Sequence, residues 1–166
     1  DRQYSTYPTP NATNAPKLTE ITSSGDVHLN EIFPVSTMDG SSAPDGEWVE
    51  FYNAGTTSID LNGWSIIDGM GNITYLDPGT IVVNSSQGST IIDAGERRLV
   101  EFTSDTRLWD NHNHLVVRDS SASIIDMGYY TTNYGPDVSL LRDQNYHDPW
   151  TPSITPSPGQ PEPTPT

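Results

Sequence analysis

No window of this chain repeats its apolar residues at the 3.6-residue interval of a helix. They alternate instead in short runs, each cut off by Gly, Pro, Asn, Asp or Ser. That pattern restricts the chain to short strands joined by turns, stacked as a sandwich or closed as a barrel. The runs are VHLNEIF (27–33), EWVEFYN (47–53), WSIID (64–68), IVV (81–83), RRLVEF (97–102), HLVVRD (114–119), SIIDMGYY (123–130) and VSLLRD (138–143). In the first, strict alternation sets Val27, Leu29, Glu31 and Phe33 against His28, Asn30 and Ile32. In the second, Val49 and Phe51 share one face while Trp48, Glu50 and Tyr52 share the other. Between the second and third, NAGTTS redirects the chain. DLNGW then offers an Asn-Gly turn, in which both residues tolerate positive φ, that delivers WSIID into the next strand. Trp48 and Trp64 each carry a large apolar area, worth about 1.5–3 kcal/mol or more when buried.

Composition agrees with this reading. Only 33% of the 166 residues are hydrophobic and 17% charged, so the bulk is Ser, Thr, Asn, Gly and Pro. The length suits one globular unit with extensions, at about 100–200 residues per domain. Residues 1–26 read as an extended polar arm whose first apolar pattern is KLTEIT. Residues 148–166 read as a Pro/Thr-rich tail or linker, in which repeated X-Pro steps exclude helix and central strand. The core is expected over 27–147.

The formal charge of −15, from 22 acidic and 7 basic residues with Lys17 the one lysine, opposes a phosphate backbone and so excludes nucleic acid as a partner. No run is long and apolar enough to span a membrane, and no signal peptide is visible. The chain opens on Asp1, not Met, as a mature secreted protein would, and an extracellular or cell-surface home is expected. Cysteine is absent, which excludes disulfides, thiolate metal sites and cysteine nucleophiles. Three acceptor sequons, at Asn11, Asn72 and Asn84, fall in expected loops and are candidate glycosylation sites.

Candidate chemistry is thin. Glu47 and Glu50 are oddly spaced and point to opposite faces of a strand, whereas Glu31 and Glu50 could meet across neighbouring strands. Without a legible substrate cleft, solvated strand carboxylates are the stronger reading of that pair. His112 and His114 would share one side of a strand, with Asp110, His28 and His147 able to approach by folding. No further ligands follow at a telling spacing, and exposed turn residues are the simpler account. The oxygen-rich loops 39–47 and 68–72 suit calcium better. Counting from Asp39 puts Ser41, Asp45, Glu47 and Glu50 near ligand positions of an EF-hand, but Pro44 stands where glycine is required and Glu50 belongs to a strand. No cofactor is expected, and loosely bound calcium is the one candidate these loops leave open. Neither a nucleophile elbow nor a phosphate-cradling glycine loop is present.

The ordered set NEIFP (30–34), GEWVEFYNAG (46–55), IDLNGWSIID (59–68), AGERRLVEF (94–102), HLVVRD (114–119), SIIDMGYY (123–130) and SLLR (139–142) resembles the lamin tail domain of secreted prokaryotic proteins. The resemblance covers roughly residues 27–145. It implies an all-β, immunoglobulin-like sandwich with a non-catalytic role in attachment, scaffolding or assembly. The chain departs from the family pattern over 68–91, which leaves strand number and one sheet edge open. The expected function is a structural subunit of a cell-surface filament or sheath. In it the arm residues Lys17, Leu18, Thr19, Glu20, Ile21 and Thr22 would add as a strand to a neighbouring copy. The alternative is a binding or adhesion module for carbohydrate or protein, tethered within a larger protein.

Overall fold

A computed structural model describes residues 26–37, 46–83, 86–102, 108, 110, 112–143 and 150–161. Among them the chain forms thirteen strands and no helix: β1 Val27–Phe33, β2 Trp48–Asn53, β3 Ile59–Asp60, β4 Ser65–Ile67, β5 Ile73–Tyr75, β6 Ile81–Val83, β7 Ser86–Gln87, β8 Ile91–Ile92, β9 Arg97–Glu101, β10 Asn113–Arg118, β11 Ile124–Tyr130, β12 Ser139–Leu141 and β13 Thr151–Ser153. A seven-stranded sheet runs β13-β12-β1-β2-β9-β6-β7 and faces a four-stranded sheet β11-β10-β4-β5, with β3 and β8 paired as a separate ribbon. Every pairing is antiparallel. The immunoglobulin-like β-sandwich expected from the sequence is the fold observed.

The core lies between the two sheets. Val27, Leu29, Ile32, Val49, Phe51, Ile81, Val100 and Leu140 come from the larger sheet, and Ile66, Leu115, Val117 and Tyr130 from the smaller. Burial alternates along β10 and β11 as the pleat requires. In β1 it does not, and the expected assignment of its faces is corrected. Leu29 pairs with Phe51 and Glu31 with Glu50, so Asn30 is an extra residue on β1 and the register shifts there. The bulge lets Leu29 and Ile32 both enter the core and sends Glu31 and Phe33 to the outer face. Phe33 then stacks on Trp48 at 5.2 Å, and with Val82 and Leu99 they make a second apolar cluster on the outside of the large sheet. Trp64 is buried in the main core.

The turn residues act as read, with one difference. Asn53 is fully buried, and its side-chain amide donates to Thr57 and Ile92 carbonyls at 2.8 and 3.0 Å, which turns the chain out of the large sheet. The Asn62-Gly63 turn closes through Trp64 N–H donating to the Leu61 carbonyl, but only Gly63 has positive φ (78°). That geometry belongs to a type II turn rather than a hairpin turn, and the turn accordingly carries the chain from the β3–β8 ribbon into the small sheet. The departure over 68–91 adds strands: β5 completes the small sheet, β6 and β7 extend the large one, and β8 pairs with β3.

Residues 150–161, read from composition as tail or linker, are packed on the body. Trp150 is buried in the main core, in space left by Gly128 of β11, where a Cβ would stand 3.0 Å from the indole. β13 then forms the outermost strand of the large sheet beside β12. Pro152 is tolerated because an edge strand has one side that need not donate.

Candidate functional site

The bulge at Asn30 places Glu31 directly beside Glu50 on the outer face of the large sheet. The two carboxylates meet across strands as expected, but they are not solvated. Both side chains are fully buried. Residues 154–161 pass over them as a strap. Ser157 donates its N–H to both Glu31 oxygens at 3.1 and 3.3 Å and its hydroxyl at 2.9 Å, and the Gly159 N–H reaches Glu50 Oε2 at 2.7 Å. From the sheet, Asn30 Nδ2 donates to Glu50 Oε1 at 2.7 Å and Arg97 Nε lies 3.2 Å from the same oxygen. Arg97 in turn stacks its guanidinium 4.6 Å over the Tyr52 ring.

Burial outweighs these donors. It pushes the Glu50 carboxyl up to about 8, with Asn30 and Gly159 opposing, and the Glu31 charge adding to the rise. Glu31 is also raised by burial, partly offset by the nearby Ser139 hydroxyl and by the Ser157 hydrogen bonds. Two adjacent buried acids, both raised by burial, resemble a catalytic pair only in that respect. Donors of the strap and sheet occupy their oxygens, and no approach for a substrate is left over them.

A second buried carboxylate is held differently. Asp126 of β11 lies inside the sandwich, where Arg142 Nη1 pairs with its Oδ2 at 2.6 Å. The Leu29 and Met127 N–H groups donate to its two oxygens, both at 2.8 Å. Arg142 also donates to the Leu29 and Met127 carbonyls, and its guanidinium covers the Trp150 ring at 5.2 Å. This clamp fastens the bulge of β1 to the opposite sheet.

Two concavities flank the strap and its anchor. A groove of about 620 Å³ runs between Pro158–Pro161 of the strap and Val82, Arg97 and Leu99 of the large sheet. A hollow of about 120 Å³ lies beside Trp150, lined by Tyr129, Tyr130 and Tyr134.

The other candidate residues are dispersed. His114 stacks on Tyr129 at 6.1 Å on the outer face of the small sheet and His112 is exposed before β10, whereas His28 sits on the large sheet. Burial lowers the His114 pKa, and the neighbouring His112 lowers it further. Glu47 turns inward to accept the Leu108 N–H at 2.5 Å. Among the described residues no three His, Asp or Glu side chains stand close enough to hold a metal ion. His147 and the loop residues Asp39, Ser41, Pro44 and Asp45 lie outside the described residues, as do Asn11, Asn84 and Lys17 to Thr22. Asn72 is exposed in the turn between β4 and β5, where its side-chain amide donates to Asp68 at 2.8 Å.

The pattern that defines the Lamin Tail Domain matches residues 20–147, well over half of the chain. The chain belongs to the lamin tail domain family. No match was found among curated proteins or among solved structures. Lamin tail domains are non-enzymatic, immunoglobulin-like modules of binding or structural type, which accords with a carboxylate pair sealed under the chain's own strap. The lamin tail match ends at residue 147, so Trp150, Ser157 and Gly159 lie beyond it, and reading the core sequence alone missed them. The available signal was a tryptophan heading an otherwise polar, Pro-rich tail, since an aromatic with nothing to pack against is unusual in a linker.

Proposed function

We propose that this lamin tail domain is a non-catalytic structural protein of an extracellular, cell-surface assembly, a filament or sheath built from copies of itself. The observation that carries the reading is the outer face of the four-stranded sheet. The registers align Met127, Val116, Ile67 and Ile73 in one row across all four strands, flanked by a row of Ile124, Arg118, Ser65 and Tyr75. Ile73 is 46% exposed and Tyr75 61%, both on β5, a terminal strand of that sheet. An apolar row that crosses the sheet and ends in exposed residues on a terminal strand supports contact with a neighbouring copy in a chain otherwise so acidic.

The arm Lys17–Thr22 is the segment proposed to add as a strand along such an edge, and glycans at Asn11, Asn72 and Asn84 would decorate the assembly. The test is light scattering and electron microscopy of the purified chain against an Ile73→Lys/Met127→Lys variant. Concentration-dependent fibres that the variant abolishes are expected. A wild-type chain that stays monomeric at high concentration overturns the reading.

A second reading, a binding or adhesion module, is favoured by the tyrosine-lined hollow beside Trp150, an aromatic surface of the kind that receives a sugar ring. At about 120 Å³ it is small against the roughly 300–1,000 Å³ of ligand pockets, which is why the structural reading ranks first.

A further inference from the structure

Residues 150–161 contact the body at three separate points. Trp150 fills the space over Gly128, β13 pairs with β12 through Ser139↔Ser153, Leu140↔Pro152 and Leu141↔Thr151, and Ser157 and Gly159 cap Glu31 and Glu50. An aromatic anchor, a strand added to a sheet edge and end-on donors to a carboxylate pair are the means by which one protein captures an extended peptide of another. The rest of the segment is loosely committed. Ile154 is 86% exposed, and the groove of about 620 Å³ runs along the strap instead of being filled by it. The segment also lies beyond the lamin tail match, which closes with residue 147.

We infer that this three-part site is an acceptor for the C-terminal segment, residues 150–161, of a second copy of the chain, so that exchange of that segment links one sandwich to the next. The inference rests on the proposed self-assembly but supplies a different device from the N-terminal arm. Any surface that accepts the segment from its own chain is complementary to the same segment of a neighbour. Residues 144–149 join segment to body and, extended, reach about 20 Å. One-way exchange is head-to-tail and propagates, whereas reciprocal exchange closes into a dimer. Because the tethered segment competes at an effective concentration of about millimolar order, exchange belongs to crowded conditions such as a surface array.

The absence of native cysteine makes the test clean. Leu141 and Thr151 face each other across β12 and β13, at a separation that a disulfide spans. Two full-length variants, Leu141→Cys and Thr151→Cys, are mixed at high concentration and oxidised, and a third carries both substitutions. If segments exchange, a mixed disulfide-linked species forms in the mixture and not with either variant alone. The double variant, oxidised while dilute, closes within one chain and loses the ability to join others. Assembly without the mixed disulfide, or undiminished assembly of the locked double variant, overturns the exchange and leaves the structural reading standing. A mixed dimer that never grows supports the exchange and overturns the filament.

Discussion

Among the described residues two sites bury carboxylates completely, and they differ in what surrounds them. Asp126 sits between the sheets with a guanidinium at 2.6 Å and two backbone N–H groups. Glu31 and Glu50 lie on the outside of the large sheet, covered by a strap from beyond the lamin tail match, and Glu50 is pushed up to about 8. Equal burial therefore has opposite consequences. Asp126 is part of the scaffold, and removing its partner strands a charge in the core. The glutamates depend on a cover held by a tryptophan, a three-residue strand and a few hydrogen bonds, and that cover is the segment proposed to change partners.

The largest break in this contrast is Arg142→Ala. It leaves Asp126 uncompensated and uncovers Trp150, so urea denaturation is expected to show a loss of about 3–5 kcal/mol. The double variant Asp126→Leu/Arg142→Met recovers part of it. Recovery stays incomplete, because the Leu29 and Met127 N–H groups lose the Asp126 carboxylate and the Leu29 and Met127 carbonyls lose the Arg142 guanidinium. A single variant within experimental error of wild type would show that the clamp is not structural.

Next in size is Trp150→Ala, which empties the space over Gly128 and is expected to cost about 3 kcal/mol. If β13 and the strap hang on that anchor, hydrogen exchange of the β13 amides accelerates with it. Unchanged β13 protection would mean that the strap holds itself.

Glu50→Gln sharpens the comparison through pH. The folded state keeps the Glu50 proton to about 8, while the unfolded chain releases it near the ordinary value of 4.5. Across that interval the native state binds the extra proton, so this group's contribution to stability is full below pH 4.5 and declines until about pH 8. Glutamine cannot ionise. The variant is expected to lose this pH slope and to exceed wild type above pH 8 by on the order of a few kcal/mol. Parallel stability curves for the two proteins from pH 5 to 8 would refute the assignment.

Much of this arrangement was readable before folding and some was not, for identifiable reasons. β1, β2, β4, β6 and β9 to β12 each show in an alternating or continuous apolar run, because a half-buried strand must alternate and a fully buried one need not. β3, β7 and β8 are two residues long, too short to display a period, and β5, though as long as β4, β6 and β12, reads Ile-Thr-Tyr and has no continuous aliphatic pair to mark it. The bulge did leave a mark that a strict two-residue period passes over: Asn30 and Glu31 are two polar residues in succession between Leu29 and Ile32, and the extra residue reverses the faces of everything after it. That Glu31 and Glu50 would meet followed from strand adjacency. Their burial did not, since the strap comes from Ser157, 126 positions away from Glu31. Proline misled at the C-terminus, where it excludes a central strand but leaves an edge strand open to Pro152.

The smallest expected effect separates the two sites most finely. Ser157→Ala removes the hydroxyl bond to Glu31 at 2.9 Å but keeps the backbone N–H contacts at 3.1 and 3.3 Å. A single hydrogen bond to a group of this kind is worth about 0.5–1.5 kcal/mol. If the strap and β13 open separately from the sandwich, that loss falls on the local equilibrium and not on global unfolding. The β13 amides then exchange up to about tenfold faster, the equivalent of roughly 1.4 kcal/mol, while the denaturation midpoint stays where it was. A shift of the midpoint with no change at β13 would mean that the strap unfolds only with the core. Glu31 and Glu50 would then be as permanently enclosed as Asp126, and the distinction between the two sites would be lost.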